Sequence, residues 1–303
     1  AKELAPGTYK VVACAFASTN TVPYTGTVVV RTEAPEASLP SANPRGLEFS
    51  ASVATDPQRD QAEPLIEIDK AGNVYDCGPT GSSMLSDYAQ VSPPNQGGDQ
   101  FHMLGTPPRG QQSLGGGGDC GLAFSTAKNS RGNYTYAYTG LGPLTGFATS
   151  SSPNNGKTLT TGGPGGNLVT DTGVLADRQW MTFVDPDTVL LIYNQQQPRN
   201  VVVQRSDDSG LTYGTDAVIA AANPEFPGPI RYVEPMTGLA QGLVYFPWER
   251  GDRINISFST DRGASWRSCG AAVTPGDAAL FATADHDTAG NIYIVYGENT
   301  RFH

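Results

Sequence analysis

The chain has 303 residues, of which 36 are glycine and 23 are proline, while only 16% are charged. Abundant turn formers and few charges favour short strands over helices, and no long window carries the apolar spacing of an amphipathic helix. The formal net charge of −10 argues against a nucleic acid partner, and the longest apolar runs are too short to span a membrane.

The first 35 residues contain two strand-like segments, 7–17 and 25–32, and a stretch rich in Pro, Ala and Ser follows them. Two interpretations remain open. In the first, 1–35 is the end of a separate β-sandwich, since these strands resemble the closing strands of bacterial pre-peptidase C-terminal domains, and 36–60 is a linker. In the second, the two strands complete the last sheet of the repeat that occupies 61–303. We favour the first.

Two segments of that repeat share the pattern Ser-x-Asp-x-Gly-x-x-aromatic, a weaker copy precedes them, and a ragged fourth lies at 92–101. The Asp or Asn side chain accepts hydrogen bonds from nearby backbone N–H groups, Gly supplies the positive φ of a turn, and the aromatic residue packs beneath. We therefore predict structural hairpin turns, not acid–base residues. The predicted turn residues are Asn154 and Gly156; Ser206, Asp208, Gly210 and Tyr213; and Ser259, Asp261, Gly263 and Trp266.

A second motif, a strand, an Asp-x-x-Gly-Asn turn and a strand, alternates with the first. It is clear at 65–75 and 282–296, and looser at 131–134, 185–189 and 241–245. Two hairpins per 50 to 60 residues predict four-stranded blades of an all-β propeller. Five blades are visible, the last of them incomplete, and the first interpretation of 1–35 implies six or seven in the full protein. The predicted blades begin near Glu63, Asp119, Asp177, Arg231 and Phe281.

Four scattered cysteines without a Cys-x-x-Cys pair favour disulfides in an oxidising compartment over metal binding. Cys77 and Cys120 each lie beside a glycine at comparable blade positions, so they are the preferred pair. This composition predicts a secreted or cell-surface protein.

The Ser-x-Asp-x-Gly turns resemble the BNR or Asp-box repeats of sialidases and sortilin-like propellers, over residues 60–300. In sialidases, arginines bind the substrate carboxylate, a Tyr paired with a Glu is the nucleophile, and an Asp is the acid–base. The resemblance implies that Arg178 and Arg231 bind a carboxylate and that Asp119 is the acid–base. It also implies that Tyr232 and Glu234 form the nucleophile pair.

Asp177 and Trp180 lie beside these positions and are predicted to bind substrate. The Arg-Ile-Pro signature of sialidases is missing, and no third carboxylate-binding arginine is identifiable. No cofactor and no catalytic metal are predicted, although an acidic loop could hold a structural Ca²⁺. Asp285, His286 and Asp287 are predicted to form a turn instead of a metal site.

Two functions follow from these patterns. The first is an extracellular propeller that binds or processes glycans, with a sialidase-like exo-glycosidase as its enzymatic form. The alternative is a non-catalytic cell-surface or assembly module that binds another protein. The geometry of Arg178 and Arg231 discriminates between them, because a substrate carboxylate needs both guanidinium groups at one open mouth of the channel.

Overall fold

The computed structural model describes residues 52–55, 63–79, 87–96, 98, 100–103, 119–141, 146–162, 170–171, 175–215, 217–220, 226–251, 253–273, 282–298 and 301–302. Contacts divide the chain into two units, Ala1–Ala54 and Thr55–His303, and every described strand belongs to the second. Both interpretations of residues 1–35 and the proposed linker at 36–60 therefore concern segments outside the described residues, apart from 52–55.

The described strands form consecutive antiparallel sheets, which confirms the all-β prediction. The first sheet contains β1 (Leu65–Ile68), β2 (Val74–Pro79), β3 (Asp87–Ser92) and β4 (His102–Met103). The second contains β5 (Cys120–Lys128), β6 (Tyr134–Leu141), β7 (Gly146–Ser152) and β8 (Thr160–Thr161), with β9 (Thr170–Asp171) also paired to β7.

The third and fourth sheets repeat this order. The third contains β10 (Ala176–Phe183), β11 (Val189–Gln196), β12 (Arg199–Ser206) and β13 (Ala217–Ala220). The fourth contains β14 (Arg231–Val233), β15 (Leu243–Arg250), β16 (Arg253–Ser259) and β17 (Arg267–Val273). Two hairpins follow, β18 (Thr283–His286) with β19 (Ile292–Val295), and β20 (Gly297–Glu298) with β21 (Arg301–Phe302).

The turn between the first two strands of a sheet is closed by one acidic or amide side chain. Asp69 Oδ1 accepts hydrogen bonds from the backbone N–H groups of Ala71 and Asn73, both at 2.9 Å. Asp287 closes the β18–β19 turn with the same two bonds, from Ala289 and Asn291. The predicted turn at 285–287 is therefore present.

The turn between the third and fourth strands uses the serine that ends the third strand. Ser206 Oγ accepts from the N–H of Gly210 at 2.9 Å and donates to Asp208 at 2.7 Å. The turns that begin at Ser152 and Ser259 make the corresponding bonds. Ser92, which ends β3, accepts from the N–H of Gly98. These bonds explain the spacing of the repeat without invoking catalysis.

The core lies between successive sheets. One apolar cluster joins the first and second sheets, another the second and third, a third the third and fourth, and a fourth the fourth sheet and the β18–β19 hairpin. The first strands of neighbouring sheets contact each other, so they line the centre. Charged groups at the beginnings of these strands are thereby brought to one end of a central channel.

A disulfide links Cys77 on β2 to Cys120 on β5, with a Cα–Cα distance of 6.3 Å. The predicted pair is present, but the reason given for it was wrong: the two cysteines occupy a second and a first strand, and not comparable positions. Cys269 on β17 is an exposed free thiol, and Cys14 lies outside the described residues. No helix in the described part of the chain is long and apolar enough to cross a membrane.

Candidate functional site

Four charged residues from three sheets come together where the innermost strands begin. Glu63 precedes β1, Asp119 directly precedes β5, and Asp177 and Arg178 are the second and third residues of β10. Arg178 contacts Glu63, and Asp119 interacts with both Glu63 and Asp177. We call these four residues the carboxyl cluster. The cluster joins sheets that are distant in sequence, which is how catalytic groups are commonly assembled on a repeat scaffold.

The backbone that carries the cluster is strained at two positions. Glu63 has φ +44° and Arg178 has φ +55°, and both lie in the left-handed region that non-glycine residues avoid. The β10–β11 pairing also shifts register between Asp177 and Trp180. A β-bulge of this kind redirects a side chain out of the regular alternation. The remaining non-glycine residues with positive φ among the described residues lie in the Ser-x-Asp-x-Gly turns: Asn155, Ser209 and Arg262.

The guanidinium of Arg178 faces the carboxylate of Glu63 with both of its terminal nitrogens, at 3.4 and 3.5 Å. The two side chains are about one quarter exposed, at 24% and 27%. The guanidinium also lies 5.7 Å from the centre of the Phe226 ring. Arg178 is thus held by an acid and an aromatic ring.

The pKa of Asp119 is raised to about 8, first by burial and then by the hydrogen bond with Glu63 and the charges of Glu63 and Asp177, while the charge of Arg178 lowers it. Two carboxyl groups in contact in a poorly solvated place do not both ionise at neutral pH. Asp119 is therefore protonated at pH 7. A protonated carboxyl group at neutral pH is a proton donor of the kind that general acid catalysis requires.

Arg231 has a different acid as its partner. Its Nη1 lies 2.7 Å from Glu67 Oε1, and each side chain is 23% exposed. Burial lowers the pKa of Arg231, but the hydrogen-bonded Glu67 and the charge of Asp285 raise it overall. Arg178 and Arg231 therefore pair with two different glutamates. This arrangement does not present both guanidinium groups to one anion.

Tyr232 and Glu234 bond to separate partners as well. The Tyr232 hydroxyl donates to the backbone oxygen of Gln241 at 3.1 Å, and Glu234 forms an ion pair with Lys70. Burial raises the pKa of Tyr232, which opposes the ionisation that a tyrosine nucleophile needs.

Trp180 lies against the core between the third and fourth sheets, and its indole N–H donates to the backbone oxygen of Pro227 at 3.1 Å. These contacts give Trp180 a packing position beside the cluster. Trp248 is buried in the same core.

A cavity of about 270 Å³ follows the channel beyond the cluster. Its lining comes from the first strand of each sheet and from the β18–β19 hairpin, and includes Glu67, Phe124, Phe183, Arg231 and His286. His286 Nδ1 lies 3.0 Å from the Tyr245 hydroxyl. Sequence reasoning missed Glu67 as a partner of Arg231, although its spacing of four from Glu63 could have indicated that both face the channel.

The fold has relatives among solved structures. The chain is similar to an α-L-arabinofuranosidase from Fusarium graminearum, with a TM-score of 0.55, 13% identity, and coverage of 83% of this chain and 80% of that one. It is also similar to an endo-arabinase from Bacteroides thetaiotaomicron (TM-score 0.51, 13% identity, 83% and 94% covered). A Hadza microbial sialidase matches with a TM-score of 0.50, 13% identity, and coverage of 81% and 52%.

The fold is that of β-propeller glycosidases. The structural neighbours include five-bladed propeller hydrolases, and at identities of 12 to 16% the likeness concerns the fold alone. No protein-family model matches the sequence, and no curated protein matches it either.

Proposed function

We propose that this propeller is a glycoside hydrolase and that the carboxyl cluster is its active site. The observation that supports this most strongly is the grouping of Asp119 with two further carboxyl groups where the innermost strands begin, in surroundings that raise the pKa of Asp119 to about 8. Hydrolysis of a glycosidic bond needs one carboxyl group that donates a proton and a second that acts on the opposite face of the sugar. The cluster contains both kinds of group at the mouth of a channel.

Asp119 is the general acid in this proposal, and it donates its proton to the glycosidic oxygen. Asp177 is the carboxylate that activates water or attacks the sugar, because it lies beside Asp119 and is not part of the Arg178–Glu63 ion pair. Asp177 Oδ1 accepts the backbone N–H of Arg178 at 2.8 Å, which orients the carboxylate.

The substrate is a neutral glycan. With Asp119 protonated, the cluster carries two carboxylates and one guanidinium, so it has a net negative charge that repels acidic sugars. A sialidase-like specificity would need arginines that are free to bind the substrate carboxylate, and Arg178 and Arg231 are each paired with a glutamate. Arabinofuranosides are the first neutral substrates to test, since two of the fold neighbours are named for arabinose chemistry.

We also propose that the protein acts in an oxidising, extracellular compartment. A disulfide between two buried strands is stable there and uncommon in reducing compartments.

The test is hydrolysis of a panel of fluorogenic glycosides that includes α-L-arabinofuranoside, β-D-xyloside and an α-sialoside. Variants Asp119→Asn and Asp177→Asn are expected to lose roughly 10²- to 10⁴-fold in kcat on the best neutral substrate. Asp207→Asn is the matched control, because Asp207 is an exposed acid that pairs with Arg205 on the third sheet. Equal activity in all variants would contradict the assignment. If the folded protein hydrolyses none of the panel, the non-catalytic binding module becomes the better account.

A further inference from the structure

Asp119 lies where three sheets meet, and a different contact connects it to each of them. The next residue, Cys120, is joined by the disulfide to Cys77 on the first sheet. The backbone oxygen of Asp119 accepts from the N–H of Leu141 at 2.8 Å, which continues the β5–β6 pairing of its own sheet. The same oxygen accepts from the side-chain Nε2 of Gln179, on the third sheet, at 2.5 Å. Gln179 thus connects the third sheet directly to the residue that we propose as the general acid.

The β-bulge of β10 gives Gln179 this position. The pairing of β10 with β11 shifts register after Asp177, so the side chains of Arg178 and Gln179 leave the regular alternation of the strand. Arg178 contacts Glu63 at the start of the first sheet, and Gln179 contacts Asp119 at the start of the second. Two consecutive residues of one bulge therefore reach the beginnings of both preceding innermost strands.

The side chain of Gln179 is enclosed by its surroundings. Only 2% of the residue is exposed, and β5 and β10 pack against each other. At Gly121, two residues after Asp119, an added Cβ would lie 3.3 Å from Cγ of Met181 and 3.7 Å from the backbone oxygen of Gln179. Side chains in such close packing have little freedom to move. The packing of the two strands therefore holds the amide of Gln179 against Asp119.

Stability alone does not explain an amide at this place. Gln179 Oε1 is buried and has no hydrogen-bond partner among the residues that the structure describes. An unpaired buried acceptor destabilises the folded state. Methionine has a similar size and no such atom, and without the amide the backbone oxygen of Asp119 would still accept from Leu141. What the amide adds is the hydrogen bond to Asp119.

We infer that Gln179 is a positioning residue: it fixes the backbone of Asp119 from the third sheet, so that the carboxyl group of Asp119 is aimed at the glycosidic oxygen. This inference rests on the proposed function for its catalytic meaning. The hydrogen bond itself is a property of the protein without substrate and can be measured independently.

The first measurement observes the backbone carbonyl group of Asp119. The sequence contains two Asp-Cys pairs, Asp76–Cys77 and Asp119–Cys120. Labelling the whole chain with ¹³C at the Asp carbonyl and ¹⁵N at Cys therefore gives two signals in an HNCO spectrum, and Asp119→Asn identifies them by removing one. In Gln179→Met, we expect the carbonyl carbon of Asp119 to move upfield, because its oxygen loses a hydrogen bond, while the Asp76 signal stays in place. If the Asp119 signal does not move, the inference is wrong.

The second measurement asks whether the hydrogen bond aids proton donation. A sugar leaving group must be protonated as the glycosidic bond breaks, whereas a dinitrophenolate leaves without a proton. For the best neutral sugar, we expect Gln179→Met to lower kcat/KM on the oligosaccharide roughly 10- to 100-fold and to leave kcat/KM on the dinitrophenyl glycoside nearly unchanged. Asn255→Leu is the control, because Asn255 is another buried amide, on β16 of the fourth sheet. Equal losses on both substrates in Gln179→Met would overturn the inference.

Thermal denaturation separates positioning from a purely structural role. We expect Gln179→Met to melt at or above the Tm of the wild type, because it removes an unpaired buried acceptor. A variant that melts far below the wild type, or that does not fold, would show that the amide serves the fold, and it would overturn the inference.

The inference and the proposed function fail in different ways. If the protein hydrolyses nothing but the Asp119 carbonyl signal moves in Gln179→Met, the proposed function fails while the hydrogen bond that fixes Asp119 stands. If the protein hydrolyses a neutral glycoside and that signal does not move, the proposed function stands and the inference fails.

Discussion

Glu63 and Arg178 are both left-handed at the backbone, and their side chains form an ion pair of 3.4 Å that connects the start of the first sheet to the third. This pair places a carboxylate against Asp119, which lies at the start of the second sheet. The chemistry that we propose depends on this contact among three sheets, and not on any single motif.

The stability of the protein should depend on the protonation of Asp119. Its pKa is raised to about 8 in the folded protein from the ordinary aspartate value of 3.8, so the folded state binds the proton more tightly than the unfolded state. The stabilisation is therefore fully present below pH 4 and is lost as the pH rises through 8. We expect the Tm of Asp119→Asn, measured from pH 4 to 9, to rise relative to wild type across this range. A constant difference would show that Asp119 titrates normally.

The close approach of the third and fourth sheets should make Gly263 intolerant of a side chain. Gly263 has φ +85°, and an added Cβ would lie 2.6 Å from Cδ1 of the fully buried Leu190. Gly238, with φ +87°, has open space around it. In both Gly→Ala variants, an alanine in left-handed backbone lowers the free energy of unfolding by about 1 kcal/mol. We expect Gly263→Ala to lower the free energy of unfolding, measured by chemical denaturation, by about 1 to 3 kcal/mol more than Gly238→Ala does. Equal costs would contradict this packing.

The Arg231–Glu67 ion pair should stabilise the folded protein, because it connects the first strand of the first sheet to the first strand of the fourth sheet. We expect Arg231→Gln and Glu67→Gln each to lower the free energy of unfolding by about 1 to 3 kcal/mol, since each leaves a mostly buried charge without its partner. The double variant should cost less than the sum of the two. The exposed Arg205–Asp207 pair is the control and should contribute about 0 to 1 kcal/mol. Additive losses in the double variant would mean that the pair is not coupled.

The Cys77–Cys120 disulfide should stabilise the first two sheets against unfolding. Its cysteines are 43 residues apart, a separation for which the loss of chain entropy in the unfolded state is worth about 2 to 4 kcal/mol. We expect the variant with both cysteines changed to Ala to melt at a lower temperature than wild type. Cys269→Ala is the control, since its thiol is free and exposed. A double variant that melts like this control would contradict the structural role of the disulfide.

Much of the fold could be predicted because its turns are local. The hydrogen bonds of Asp69 and Asp287 span only a few residues, so the spacing of Asp, Gly and Asn reports them directly. Alternation of these turns with those at Ser206 and Ser259 predicts four-stranded sheets. The segments predicted as strands within residues 1–35 contain no such motif, so the sequence leaves two interpretations of them open.

The site could be predicted only in part. Asp119, Asp177 and Arg178 lie at or beside the predicted beginnings of blades, and the beginnings of the innermost strands meet at one end of a propeller. Their partners depend on the register shift after Asp177 and on the left-handed backbone of Glu63, which arise from tertiary contacts and have no local signature. The resemblance to sialidases therefore implied a joint role for Arg178 and Arg231, whereas the structure pairs them with separate glutamates.

The most direct test of the site is a crystal structure of Asp119→Asn bound to an oligosaccharide of the sugar that the wild-type protein hydrolyses fastest. The account predicts that the glycosidic oxygen lies about 3 Å from the side chain at position 119, with Asp177 on the other face of the sugar. An oligosaccharide bound only in the cavity that Glu67 and Arg231 help to line, or away from the channel, would contradict it.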